Sequence, residues 1–189
     1  MGLMSESLSN FRRDFEMRYL NEGESYKLNA DNLLFETHKN LSNFFGAKEK
    51  NTFVIPNFST GIKHITNYLS TKLNILLIKD DYPSLVKAFD EKKFNIESIE
   101  IQTNLELEIE RRLNSKKIDV LALSIVQYAS GLLIDINFLK KLKCQYPDLI
   151  IIGDGTQFLG AHIFDFNSSP FDVIASSGYK WLLAGFGNG

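Results

Sequence analysis

Cysteine is almost absent from this chain of 189 residues. Cys144 stands alone, which excludes an internal disulfide framework and a cysteine-rich zinc site. Long apolar runs are also missing. The longest, at residues 120–126 and 149–153, fall far short of the ~20 residues that span a bilayer, so no membrane helix is expected. Residues 1–10 lack a basic segment followed by an apolar stretch and a small-residue cleavage site, which argues against secretion and for the cytoplasm. Neither sign of charge is in excess: 21 Lys and Arg oppose 23 Asp and Glu, and a net charge of -2 gives no bulk attraction for nucleic acid. Repeats, linkers and low-complexity segments are not seen. What the chain does have is apolar mass, 44% hydrophobic residues with 15 Phe and 7 Tyr, which excludes disorder over most of its length and suffices for a core.

The patterning of that mass changes once. Up to about residue 50, Phe11, Phe15 and Tyr19, then Leu33, Leu34, His38, Leu41, Phe44 and Phe45, recur at three- and four-residue spacing, which predicts two amphipathic helices. Beyond a charged turn the chain alternates between short β-like runs and helical stretches. The runs are Phe53-Val54-Ile55, Ile75-Leu76-Leu77-Ile78, residues 96–101, residues 120–125, Leu149-Ile150-Ile151-Ile152 and Phe171-Asp172-Val173-Ile174. A strand apolar at every position is expected where helices cover both faces of a sheet. Alternation of this kind predicts an α/β domain, a mostly parallel sheet flanked by helices.

In such sheets ligands gather beyond the carboxyl ends of the strands. Those positions carry Asn57-Phe58-Ser59-Thr60-Gly61, Asp81-Tyr82-Pro83-Ser84, Gln127-Tyr128-Ala129-Ser130-Gly131, Asp154-Gly155-Thr156-Gln157 and Ser176-Ser177-Gly178-Tyr179-Lys180. Lys180, between a Ser-Ser-Gly turn and Trp181-Leu182-Leu183, reads either as a poorly solvated amine primed to attack an aldehyde or as a surface lysine whose stem packs on Trp181. Asp154, ending an apolar strand, reads either as a catalytic carboxylate or as a helix cap. Ser59, Thr60 and Gly61 suit a phosphate at a helix N-terminus, and serve equally as ordinary caps. His38, His64 and His162 show no metal-ligand spacing, and Cys144, between Leu142 and Tyr146 on a helix, reads as an inert, partly buried thiol.

Taken in order, Asp154-Gly155-Thr156-Gln157, then residues 176–183, then Gly185-Phe186-Gly187-Asn188-Gly189, resemble class V pyridoxal 5'-phosphate (PLP) enzymes. That group spans aminotransferases, cysteine desulfurases, kynureninase and isopenicillin N epimerase-like proteins, and the likeness runs from about residue 53 to residue 189. The resemblance implies the large domain of a fold type I PLP enzyme, with residues 1–50 as an N-terminal helical segment, residues 51–189 as the cofactor-binding domain, and the C-terminal small domain absent. It implies that Lys180 holds the cofactor as a Schiff base and shuttles the proton at the substrate Cα. Asp154 would pair with the pyridine nitrogen, Gln157 would face the phenolic oxygen, and Tyr82 would stack on the ring. Ser59, Thr60, Ser177 and Tyr179 would form the phosphate cup; Tyr179 departs from the histidine of many desulfurases and moves the match toward the epimerase-like branch.

The expected activity is therefore PLP chemistry on an amino acid or amine, most generically class V transamination, in a homodimer with no nucleic-acid or membrane partner. Desulfurase or selenocysteine lyase-like elimination with the same residues is the alternative, although the mobile cysteine it needs is not supplied by Cys144. A non-catalytic, truncated remnant is the third reading, because family members are about twice as long and carry their substrate-gripping arginine in the missing part. On the leading reading Lys180, Asp154 and Ser59 converge on one pocket at the carboxyl edge of the sheet.

Overall fold

The computed structural model describes residues 3–28, 30–101, 104–185 and 187–189. The chain divides into two compact units, residues 1–54 and 55–189. The first is helical: α1 (Glu6–Glu22), α2 (Glu24–Leu28) and α3 (Ala30–Phe44) are followed by a short 3-10 turn at Glu49–Asn51. Ser5 starts α1, its hydroxyl accepting the Leu8 N–H at 3.2 Å, and Gly23 ends it in a left-handed conformation (φ 53°) that glycine adopts without penalty. Phe15 and Tyr26 pack edge to face 5.2 Å apart, and His38 Nε2 accepts the Val54 N–H at 3.2 Å. No residue of α1 is buried.

The second unit is built on five parallel strands in the order β2-β1-β3-β4-β5. These are β1 (Asn74–Ile78), β2 (Asn95–Ile99), β3 (Val120–Ser124), β4 (Ile150–Asp154) and β5 (Val173–Ala175). Helix α4 (Phe58–Tyr68) precedes the sheet, while α5 (Pro83–Asp90), α6 (Leu105–Ser115) and α7 (Ile136–Gln145) connect its first four strands. Alternation along the strands divides the core in two. Ile75, Leu77, Val120, Ala122, Ile152 and Ala175 pack with Phe58 and Ile62 of α4 and Leu85, Ala88 and Phe89 of α5. The alternate residues Leu76, Ile78, Leu121, Leu123 and Ile151 point the other way and are equally buried, as are Ile109 of α6 and Leu139 of α7. Gly153 in β4 permits a close approach: a Cβ there would lie 2.9 Å from the Phe171 ring. No helix among the described residues is long and apolar enough to cross a membrane.

One expected strand is not formed. Phe53-Val54-Ile55 joins no sheet; Ile55 instead exchanges both of its backbone hydrogen bonds with Gly189 at 2.8 Å, and Pro56 follows with no N–H to extend a ladder.

Because all strands run one way, their carboxyl ends share one edge. Along it β2 lies on one side of β1 and β3 on the other, so the chain reverses its winding between β1 and β3, the place where open α/β sheets leave a crevice. The register sets Ser124, Asp154 and Ala175 level at the ends of β3, β4 and β5.

Phe89 is fully buried and meets Phe94 at 5.8 Å, so Phe89→Ala should cost about 3–5 kcal/mol in urea unfolding, whereas Leu20→Ala, at an exposed position of α1, should change stability by less than about 0.5 kcal/mol.

Candidate active site

The ends of β1, β3, β4 and β5 contribute to one cleft. After β1, Asp80 takes a left-handed conformation (φ 60°) that turns the chain sharply, and the next residues reach back across the sheet. Tyr82 then caps α5, with Pro83 at the first helical position, where a missing N–H does no harm. Its ring meets Phe58 at 5.8 Å and Tyr128 at 5.6 Å, both edge to face, so it is held on two sides. After β3, Val126 bridges to Leu133 and a turn closes with Gly131 (φ 72°) donating to the Gln127 carbonyl at 2.8 Å, which presents Tyr128 half exposed at the mouth.

After β4, Asp154 Oδ1 accepts the Thr156 N–H at 2.8 Å, and Thr156 Oγ1 accepts the Ser177 N–H at 3.1 Å. These two bonds tie the turn after β4 to the turn after β5. Gly160 (φ 88°) tightens the same join, since a Cβ there would lie 2.9 Å from the Trp181 carbonyl. Trp181 in turn donates its indole N–H to Gln157 Oε1 at 3.1 Å. Lys180, between these fixed points, is half-buried and faces the cleft together with Tyr82, Asp154 and Gln157; Ser124, Val126, Tyr128 and Thr156 complete the walls.

Of the eight residues singled out in the sequence, four therefore share the cleft. Ser59, Thr60, Ser177 and Tyr179 do not line it. Ser59 Oγ donates to Ser84 Oγ at 2.8 Å, in the first turn of α5 beside Tyr82. Thr60 bonds through its N–H and hydroxyl to Asn57 Oδ1, the cap of α4. Ser177 is buried and held by Thr156, and Tyr179 is half-buried in the turn before the lysine. The chain beyond Lys180 links the two groups: a Cβ on Gly189 would lie 2.8 Å from the Ser176 carbonyl and 3.1 Å from Asn57 Cα, so the N-terminus of α4 and the end of β5 meet across it. Ser124 lay outside the strand-end positions read from the sequence, and Asp81 and Thr156 lay within them but were given no role, although Asp81 carries the same signal as Asp154, an acid at the end of an apolar strand.

Cys144 differs from expectation. It is exposed, because it falls on the outer side of α7 while Leu139 and Leu142 face the core. It lies near the end of the helix that leads into β4, at the amino edge of the sheet, away from the cleft.

Asp154 is buried, and its carboxyl is pushed up from its ordinary value of 3.8 to about 6. Burial is the main cause; hydrogen bonds from Thr156 oppose it, the charge of Asp81 adds to it, and Lys180 pulls the other way.

A doubly covered parallel sheet whose strand-end loops bring an amine, a buried carboxylate and an aromatic wall into one crevice is the large-domain architecture of fold type I PLP enzymes. The family model "Aminotransferase class-V" matches residues 5–189, and the chain belongs to that family, whose cofactor is pyridoxal 5'-phosphate. Among solved structures, a mutant of C-DES with glycine covalently linked to its PLP cofactor superposes with a TM-score of 0.80 at 15% identity, covering 94% of this chain and 50% of that one. The complex of the cystine C-S lyase C-DES with its reaction product cysteine persulfide gives 0.78 at 19% identity, covering 90% and 49%. Ureidoglycine-glyoxylate aminotransferase from Bacillus subtilis gives 0.71 at 16% identity, covering 83% and 42%. The chain spans about half the length of these structures or less. No curated protein matches its sequence.

The raised carboxyl has a measurable consequence. Between pH 3.8 and 6 the folded state binds the proton that the unfolded state has released, so this group's contribution falls as pH rises, leaving an ionised Asp154 that costs the cofactor-free chain about 3 kcal/mol at neutral pH. Asp154→Asn should therefore raise the melting temperature of the cofactor-free protein at pH 8 by several degrees and leave it nearly unchanged at pH 4.

Proposed function

We propose that this chain is the cofactor-binding part of a PLP-dependent enzyme that acts on an amino acid or amine by transamination. The observation that supports it most is the meeting of Lys180 and Asp154 in one cleft, carried there by the turns after neighbouring strands β4 and β5.

The residues present suit the cofactor. Asp154 is a buried carboxylate that desolvation leaves in need of a cation, which the protonated pyridine nitrogen would be. Lys180 offers the amine for the aldehyde, and Tyr82 a braced aromatic wall for the ring. The hydroxyls of Ser59 and Thr60 at the start of α4, with Ser177 and Tyr179 across the Gly189 join, would receive the phosphate; a helix N-terminus favours an anion there. Gln157, whose oxygen is held by Trp181, keeps its amide group for the phenolic oxygen.

When bound, PLP supplies an aldehyde that condenses with amines and a ring that accepts the electron pair left when a bond to the substrate Cα breaks. The chain's own residues would do the rest. Asp154 holds the proton on the ring nitrogen, and its burial makes that pairing strong because no water competes. Lys180 Nζ takes the proton from the substrate Cα and later delivers it, with the fixed loop from residue 178 to Trp181 keeping the amine within reach. Tyr82, braced edge to face by Tyr128, would limit the rotation of a flat ligand lying against it. The working enzyme is taken to be a cytoplasmic homodimer. Elimination at a C–S bond would use the same lysine and carboxylate but a sulfur acceptor other than Cys144, which lies at the opposite edge.

Borohydride reduction of the protein with PLP, followed by peptide mass mapping, should place the phosphopyridoxyl group on Lys180; its attachment only to another lysine would refute the assignment. Lys180→Ala should reduce turnover by roughly 10²–10⁴-fold. Keto acid from an amino donor and a keto acceptor marks transamination, whereas sulfide from cysteine or cystine marks elimination.

A further inference from the structure

Asp81 is buried as thoroughly as Asp154, yet no step above uses it. A carboxylate taken out of water needs donors, and Asp81 has four. Its Oδ1 accepts the Tyr82 N–H at 2.6 Å and the Ser124 hydroxyl at 2.5 Å, and its Oδ2 accepts the Ser124 N–H at 2.8 Å and the Gln127 side-chain amide at 3.1 Å. All four partners donate, a set that an ionised carboxylate satisfies and a neutral amide of the same shape does not. They come from both sides of the winding reversal: Tyr82 follows β1, while Ser124 ends β3 and Gln127 begins the turn after it. Tyr82 and Ser124 are walls of the cleft, and Ser124 is the lateral neighbour of Asp154 in the sheet. The charged groups that act on Asp154 are thus Asp81 from the turn after β1 and Lys180 from the loop after β5; Tyr82 and Tyr128 are the other titratable side chains on the walls.

We propose that Asp81 is a positioning residue of the cleft, locking the Tyr82 wall to the end of β3 and setting a second fixed negative charge behind Asp154 that strengthens the hold on a cationic ligand. The identity of that cation, the protonated ring of PLP, rests on the reading given above; the lock and the charge are properties of this chain alone. Asp81 does not itself have to meet the ligand. With its oxygens saturated by donors, it acts through Asp154 by charge and through Tyr82 by position.

The test is a titration of the cofactor-free protein carrying ¹³C-carboxyl aspartate, in which the Asp154 resonance is identified as the one that Asp154→Asn removes. Asp81→Asn should lower the Asp154 midpoint by about half a pH unit, because a like charge has gone. Gln127→Leu removes a donor but no charge and should not lower it. If Asp81→Asn does not fold, Asp81→Ser, which leaves room for water to satisfy the donors, takes its place. In parallel, equilibrium dialysis should show PLP binding weakened about tenfold by the Asp81 variant. An Asp154 midpoint that stays put in a folded Asp81 variant overturns the proposal, since a merely structural residue would lower stability at every pH without moving it. Wild-type protein that binds no PLP would instead overturn the cofactor reading, and the titration would still decide whether Asp81 governs Asp154.

Discussion

A carboxylate at the end of a strand covered on both faces by helices is under a constraint that little else in the molecule escapes. Asp154 is held level with Ser124 and Ala175 by the parallel register, and its side chain is buried and bonded to the Thr156 N–H. Its charge must be met inside the cleft or given up. The surroundings answer in three ways: Thr156 donates to it, Lys180 faces it, and Asp81 makes its charge still harder to bear alone. The result is a site with a standing demand for positive charge, created by the fold before any ligand arrives.

The loop that carries the lysine has no strand or helix of its own and relies on its neighbours for rigidity. Ser177 is tied to Thr156, Gly160 lets the backbone of Trp181 come close, and Gly178 bonds the Asn188 carbonyl at 2.8 Å while Ala184 bonds back to Gly178 at 3.0 Å. The opposite edge of the sheet is pinned by different means. There Lys143 bridges Asp172 and the Leu149 carbonyl, joining α7 to the start of β4 and the approach to β5, a structural contact with no part in the cleft. Order at one edge is thus kept by charge pairing on the surface, and at the other by small residues and short backbone turns.

The sheet could be read in the chain because runs such as 120–123 and 149–152 are apolar at every position and the turns between them are polar. The same reading led to Lys180 and Asp154, since strand ends are where such sheets place polar groups. It failed at Phe53-Val54-Ile55, where a β-like composition is overridden by a partner outside any sheet, Gly189, far away in the chain. It also passed over Asp81. Nothing in Asp80-Asp81 reveals which of two adjacent acids turns inward; that depends on the left-handed conformation of Asp80 and on donors 43 and 46 positions later, at Ser124 and Gln127. Cys144 was placed partly inside because cysteine is usually buried, but the helix phase set by Leu139 and Leu142 puts it outside.

Trp181 is the chain's one tryptophan, and its indole N–H is bonded to Gln157 on the wall of the cleft. The position next to Lys180 makes it a built-in fluorophore at the place where the chemistry is expected. Its emission reports the polarity of that corner, and any ligand that absorbs in the near ultraviolet would quench it by energy transfer. The molecule can thus announce the state of its own cleft in light, with no label added.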